Sequence, residues 1–186
     1  MSGAKKAMDQ LLAESLKELA GRKPIEKITI KEITDCAGVI RPTFYNHFQD
    51  KFELMEWIIR EDLLEPIRPL IMADMIQEAM TLLFTNMQME KTFYARAVRM
   101  EGPVTFHQVS CKSVEAFLLE IIREKAASKV YHLKWITEEV IAAYYAQSMC
   151  FAAERWVFQG MQVPPKEVAE AYCFMLTHSM ADLIND

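Results

Sequence analysis

Within the seven residues Arg41-Pro-Thr-Phe-Tyr-Asn-His47 the chain gathers a guanidinium, two hydroxyls, an amide and an imidazole, and Lys51 follows closely. These are the side-chain types that grip a polyanion: hydroxyls and ammonium groups bond phosphate oxygens, and a guanidinium can grip guanine bidentately. A second constellation is His107, Cys111 and Glu115, spaced four apart on one helical face, where they could offer three metal ligands. Ligand triplets along a single helix are rare and a buried Cys usually acts as a small hydrophobe, so no metal or other cofactor is expected. Catalysis has little support. There is no G-x-S-x-G, no phosphate-cradling glycine loop and no H-E-x-x-H, and five glycines leave little room for a nucleotide site.

The elements that must position the first set read as a hinged pair of short helices. Thr29 and Glu32 stand at capping-box spacing, so a helix starts at Ile30, with Ile30, Ile33 and Ala37 on one face. Gly38 falls where the chain turns sharply. A second helix starts near Arg41-Pro42, with Pro42 in the first turn, where a missing N–H costs little. Phe44 and Phe48 point inward, which leaves Arg41, Thr43, Tyr45, Asn46 and His47 facing outward. Such a pair is a helix-turn-helix, whose second helix enters the DNA major groove.

A first helix over 5–20, with Met8, Leu12, Leu16 and Leu19 on one face and Gly21 at its end, completes a three-helix module. Asp50 is a good N-cap for a fourth helix, Lys51 to about Glu65, which Pro66 and Pro69 stop or kink. Further helices are expected at about 74–88, 90–101, 104–127, 136–160 and 166–184, with breaks at Gly102-Pro103, around Ser128 and at Gly160 with Pro164-Pro165. The fold class is therefore all-α, about nine helices, divided into a helix-turn-helix domain at 1–50 and a larger helical regulatory and dimerisation domain at 51–186. Helix 136–160 is apolar nearly all round between Val140 and Ala153, and the last helix repeats the theme. Two such helices ending the chain favour a homodimer, in which each subunit gives both to a four-helix bundle.

The 186 residues carry a net charge of −5, but unevenly. Residues 1–49 hold eight Lys/Arg against six Asp/Glu, whereas residues 50–186 hold thirteen against twenty. The N-terminal module is thus the only face suited to a polyanion, and only mildly so. Four scattered cysteines without a C-x-x-C pair read as reduced thiols of a cytoplasmic protein. The start is polar and the longest apolar run is too short to span a bilayer, so neither a signal peptide nor a membrane partner is expected.

Ile30-x-x-Ile33-x-x-x-Ala37-Gly38-Val39, then Thr43-Phe44-Tyr45-x-x-Phe48, then Lys51 and Leu54, resemble the DNA-binding domain of TetR/AcrR transcriptional regulators over about residues 5–60. Phe44-Tyr-Asn-His-Phe-x-Asp-Lys51, Trp57-Ile58, Phe93-Tyr94 and the Gly102 turn are similar to regulators of dihydroxyacetone kinase operons. The resemblance implies that Thr29, Thr43, Tyr45, His47 and Lys51 face phosphates, with Arg41, Pro42 and Asn46 nearer base edges. It implies a small effector held among the middle helices, for which Tyr94, Arg96, Arg99 and His107 are the candidates. The expected function is a homodimeric regulator, a repressor, on a pseudopalindromic double-stranded DNA operator. The alternative is an activator switched by a co-regulator protein, with a tightly filled C-terminal core. Two departures stand out. Ile40 sits where the family has a Ser or Thr N-cap, a loss of about 1 kcal/mol, and Pro42 partly restores the helix start by fixing φ.

Overall fold

The computed structural model describes residues 2–125 and 133–185, and the break expected around Ser128 lies outside them. Helices account for the regular structure of the described residues. α1 (Ser2–Arg22) buries Leu12, Ala13, Leu16 and Ala20, and a short 3-10 turn (Ile25–Lys27) leads to α2 (Ile30–Ala37). The Thr29 hydroxyl accepts the Glu32 amide and the Glu32 carboxylate accepts the Thr29 amide, so the capping box is complete. Gly38 turns the chain at φ 68°, a left-handed position that costs Gly least. α3 (Arg41–Tyr45) starts from Ile40 with no side-chain cap, and α4 (Lys51–Ile59) from Asp50, whose carboxylate accepts the amides of Phe52 and Glu53. Phe44 and Phe48 are buried and stack toward Trp57 of α4.

The fourth helix does not stop near Glu65. Five π-helical residues (Arg60–Leu64) carry it without a gap into α5 (Glu65–Met72). Pro66 has no N–H for the carbonyl of Asp62, and its ring would clash there in a regular helix. The π turn lets the Glu65 amide reach back to Arg60, and the freed Asp62 carbonyl accepts Asn86 Nδ2 at 2.9 Å. A π-bulge with a side-chain substitute thus absorbs the proline.

α6 (Ile76–Met89), α7 (Lys91–Ala97), α8 (Phe106–Lys125), α9 (Glu138–Phe158) and α10 (Pro165–Thr177) follow. α8 packs along α9 and α6 along α10, and one continuous apolar core runs from Leu12 to Tyr172. The helix expected over 166–184 is broken. His178 is extended, and Ser179 with Asp182 makes a capping box that starts α11 (Met180–Asn185). These splits raise the number of helices above nine.

Candidate nucleic-acid interface and regulatory core

The outer face of α3 carries Ile40, Arg41, Pro42, Tyr45 and Asn46 into solvent, with Thr43 half-buried beside them. Ile40 is 69% exposed and Tyr45 53%, exposures that no intramolecular packing explains. Buried Phe44 and Phe48 turn this face outward. The eight residues expected on DNA therefore divide. Arg41, Pro42, Thr43, Tyr45 and Asn46 come together on this surface.

The other three are engaged within the module. Lys51 Nζ donates to the carbonyls of Ile25, Glu26 and Ile28 at 3.0, 2.8 and 2.9 Å. All three of its donors are used on the 3-10 turn, so a phosphate would have to displace a backbone carbonyl. Burial, only partly offset by Glu26, lowers its pKa. His47 Nδ1 lies 2.6 Å from Asp9 Oδ1 of α1, both groups largely covered. Thr29 is exposed, but its hydroxyl is occupied by Glu32 at 2.8 Å. Asp9, which ties α1 to the recognition helix, escaped the sequence reading because a lone acidic residue on a polar helix face gives no signal.

A second polar joint ties the module to the body. Lys17 of α1, with only 8% of its side chain exposed, reaches Asp62 of the π turn at 2.7 Å and Glu90 at 3.3 Å. Burial works against its charge, yet these carboxylates keep its pKa raised. Between α4 and α8, Glu56 pairs with Lys112 at 2.7 Å. Arg60 and Arg68 share Glu120.

The candidate effector residues do not converge. Tyr94 is wholly buried, with its ring against Phe93 and Phe106, and its hydroxyl has no hydrogen-bond partner among the described residues. Arg96 points to solvent. Arg99 folds back onto the Ala95 carbonyl at 2.6 Å and lies over the Phe158 ring. His107 faces α9 instead, with Nδ1 3.0 Å from Glu154 and Nε2 3.1 Å from Gln147. Cys111 stays beside His107, but among the described residues no three His, Cys, Asp or Glu are grouped to hold a metal ion. A cavity between the middle helices, lined by Ile59, Leu63, Phe106, Met149 and Cys150, holds about 30 Å³. That volume suits one water, not an organic effector.

On the far side the two C-terminal helices keep apolar surface in solvent. Tyr144, Phe151 and Phe158 follow one another every seven residues along α9, 67%, 67% and 51% exposed. Phe174 and Met175 of α10 are also exposed, and a groove of about 310 Å³ lies between the two helices. Of the apolar surface of α9, Ala142, Ala146, Met149, Cys150, Trp156 and Val157 are covered within the subunit.

A turn-linked helix pair whose second helix presents a bare polar and aromatic face, mounted on an all-helical body, defines a DNA-binding regulator. The chain belongs to the TetR family: residues 12–58 match "Bacterial regulatory proteins, tetR family" and residues 74–178 match "Transcriptional regulator C-terminal region". It is a transcriptional regulator, not an enzyme. A similar protein is the HTH-type dhaKLM operon transcriptional activator DhaS of Lactococcus lactis, 24% identical over 151 residues, covering 81% of this chain and 80% of that one. Among solved structures, the dihydroxyacetone kinase operon activator DhaS superposes with a TM-score of 0.61 at 22% identity, covering 91% of this chain and 93% of that one. A TetR regulator from Streptococcus agalactiae gives 0.59 at 17% identity, covering 95% and 97%. None of the described helices is long and apolar enough to cross a membrane.

Proposed function

We propose that this regulator works in the cytoplasm as a homodimer that reads a pseudopalindromic operator, with residues 1–50 as the DNA-binding part and 51–186 as the regulatory part. The observation that carries the reading is the bare outer face of α3. Arg41, Pro42 and Asn46 approach base edges there, and Thr43 and Tyr45 approach phosphates. Lys51, His47 and Thr29 contribute by holding that face in place. Dimerisation through α9 and α10 is supported by their exposed aromatic row and would set two α3 helices roughly 34–36 Å apart, one DNA turn. With only a mildly basic module, affinity rests on two half-sites acting together.

Two inputs fit this output: release of a repressor by an enclosed small effector, or switching of an activator by a co-regulator protein. The apolar cavity between α8, α9 and the π turn holds about 30 Å³, which favours the second. The similarity to DhaS, named as an activator, fits it as well. Gel shifts on the chain's own upstream DNA at two salt concentrations test the DNA reading, since phosphate contacts make affinity fall steeply with salt. Sedimentation tests the dimer. Binding that ignores sequence, or a monomer at micromolar concentration, would refute the respective halves.

A further inference from the structure

α8 and α9 place two chemistry-bearing pairs face to face, His107 with Cys111 and Cys150 with Glu154. Cys111 Sγ lies 3.5 Å from His107 Nε2 and 3.8 Å from Nδ1. The two carboxylate oxygens of Glu154 hold His107 Nδ1 at 3.0 and 3.1 Å, and Ser110 Oγ donates to the same carboxylate at 3.4 Å. α8 and α9 run antiparallel, with His107 against Glu154 and Arg123 against Glu139, so Cys111, four residues after His107, comes opposite Cys150, four residues before Glu154. The two sulfurs are unequal. The Cys150 thiol and the His107 ring, against burial, bring Cys111 below its ordinary pKa, whereas Cys111 and burial push Cys150 far up. Partial burial opposes the charged form of His107, but Glu154 and Cys111 outweigh it and raise its pKa. A shallow groove of about 530 Å³, lined by His107, Cys111, Glu115 and Gln147, leads to Cys111, and Cys150 lines the interior cavity behind it. A small reagent therefore meets Cys111 first.

We propose that Cys111 and Cys150 form a thiol modification site for a small hydroperoxide, in which Cys111 attacks, His107 beside it takes its proton and Cys150 closes a disulfide between α8 and α9. The Cys111 sulfur attacks the terminal peroxide oxygen; an S–O bond forms and the O–O bond breaks. The departing alkoxide takes the His107 proton and leaves as an alcohol, and Cys111 becomes a sulfenic acid. Cys150 then attacks the Cys111 sulfur; the S–S bond forms, the S–O bond breaks, and hydroxide leaves with the Cys150 proton as water. Two thiols are oxidised and one peroxide is reduced by two electrons. The site adjoins α4, the helix that follows the DNA-binding module, through Lys112, the next residue, which pairs with Glu56.

The other thiols give an internal contrast. Cys36 is exposed, but its sulfur has the Glu18 carboxylate beside it at 3.7 Å and no basic ring to take its proton. Cys173 is half-buried and burial raises its pKa. Accessibility alone selects Cys36; the geometry selects Cys111.

The test treats the reduced full-length protein with one equivalent of tert-butyl hydroperoxide at pH 7, with alkylation and peptide mapping over time. The expected result is a linked Cys111–Cys150 peptide while Cys36 still alkylates. In Cys150→Ser, a sulfenic acid at Cys111 should be trapped by dimedone. His107→Gln should slow Cys111 oxidation about tenfold at pH 7, because the ring that takes its proton is gone, with recovery as pH rises past the ordinary thiol value. A merely structural His107 would leave that pH profile unmoved. Oxidation of Cys36 with Cys111 intact in the unmodified protein, or an unchanged rate and pH profile in His107→Gln, overturns the proposal.

Discussion

The module and the body use the same kinds of polar side chain in opposite ways. On α3 the charged and polar groups stand free, because two buried phenylalanines behind them turn Arg41, Tyr45 and Asn46 outward. At the joint between α1 and the body, Lys17, Asp62 and Glu90 are closed on one another. Free groups serve a partner; closed groups hold geometry. Lys51 makes the difference instructive, since it sits next to the recognition helix yet belongs to the closed kind. A cation's place in a DNA-binding motif thus does not say which job it does. The number of carbonyls around its donors does.

That contrast breaks first at the joint. Lys17→Met removes the cation shared by Glu14, Asp62 and Glu90, and uncompensated charge of this sort costs about 3 kcal/mol. Thermal unfolding should show it, and a double variant with Asp62→Asn should recover part of the loss. An unchanged Tm would mean that water already serves Asp62. Lys51→Met should cost about 2 kcal/mol, because three carbonyls lose their charged donor. Its DNA affinity should fall evenly across sequences only as far as folding falls. A change in the salt slope by about one unit would show instead that Lys51 binds a phosphate directly. Arg41→Ala should leave Tm in place and lose about 1.5 kcal/mol of discrimination between operator and mutated half-sites, read by competition gel shift. Equal weakening on every sequence would move Arg41 from base edge to phosphate.

The module was legible because its signals are local. Capping boxes, Gly38 and the Phe44–Phe48 spacing act over a few residues, and the structure keeps all of them. The body was legible in its helices and less so in their ends. Pro66 signals a stop or a kink, and Asn86, far along the chain, supplies the bond that lets the helix continue. The surroundings of the candidate effector residues were hidden for the same reason. Tyr94 sits next to arginines in sequence, yet its ring is packed against Phe106 and Phe93. His107 found its partner in Glu154 of another helix rather than in Glu115 of its own. Cys150 and Glu154 at i, i+4 mirror His107 and Cys111, a signal present in the chain but silent until α8 and α9 are known to pair.

The smallest expected effect sharpens the local side of the contrast. The Lys23 ammonium, then the amide and hydroxyl of Thr29, hold the Glu32 carboxyl down at about 2. Because the folded pKa lies below the ordinary 4.5, the capping contribution is complete above about 4.5 and disappears as pH falls toward about 2. Glu32 is surface-exposed enough for salt to weaken its pairing with Lys23, but the backbone half of the box is short-range. Amide exchange at Thr29 should therefore speed up across that pH window, and added salt should change it little. Glu32→Gln keeps an acceptor for the Thr29 amide but loses the charge, so exchange there should become nearly independent of pH once corrected for intrinsic rates. If the variant kept the same pH dependence, the acid response would belong to another carboxylate, and the start of α2 would rest on the Thr29 hydroxyl alone.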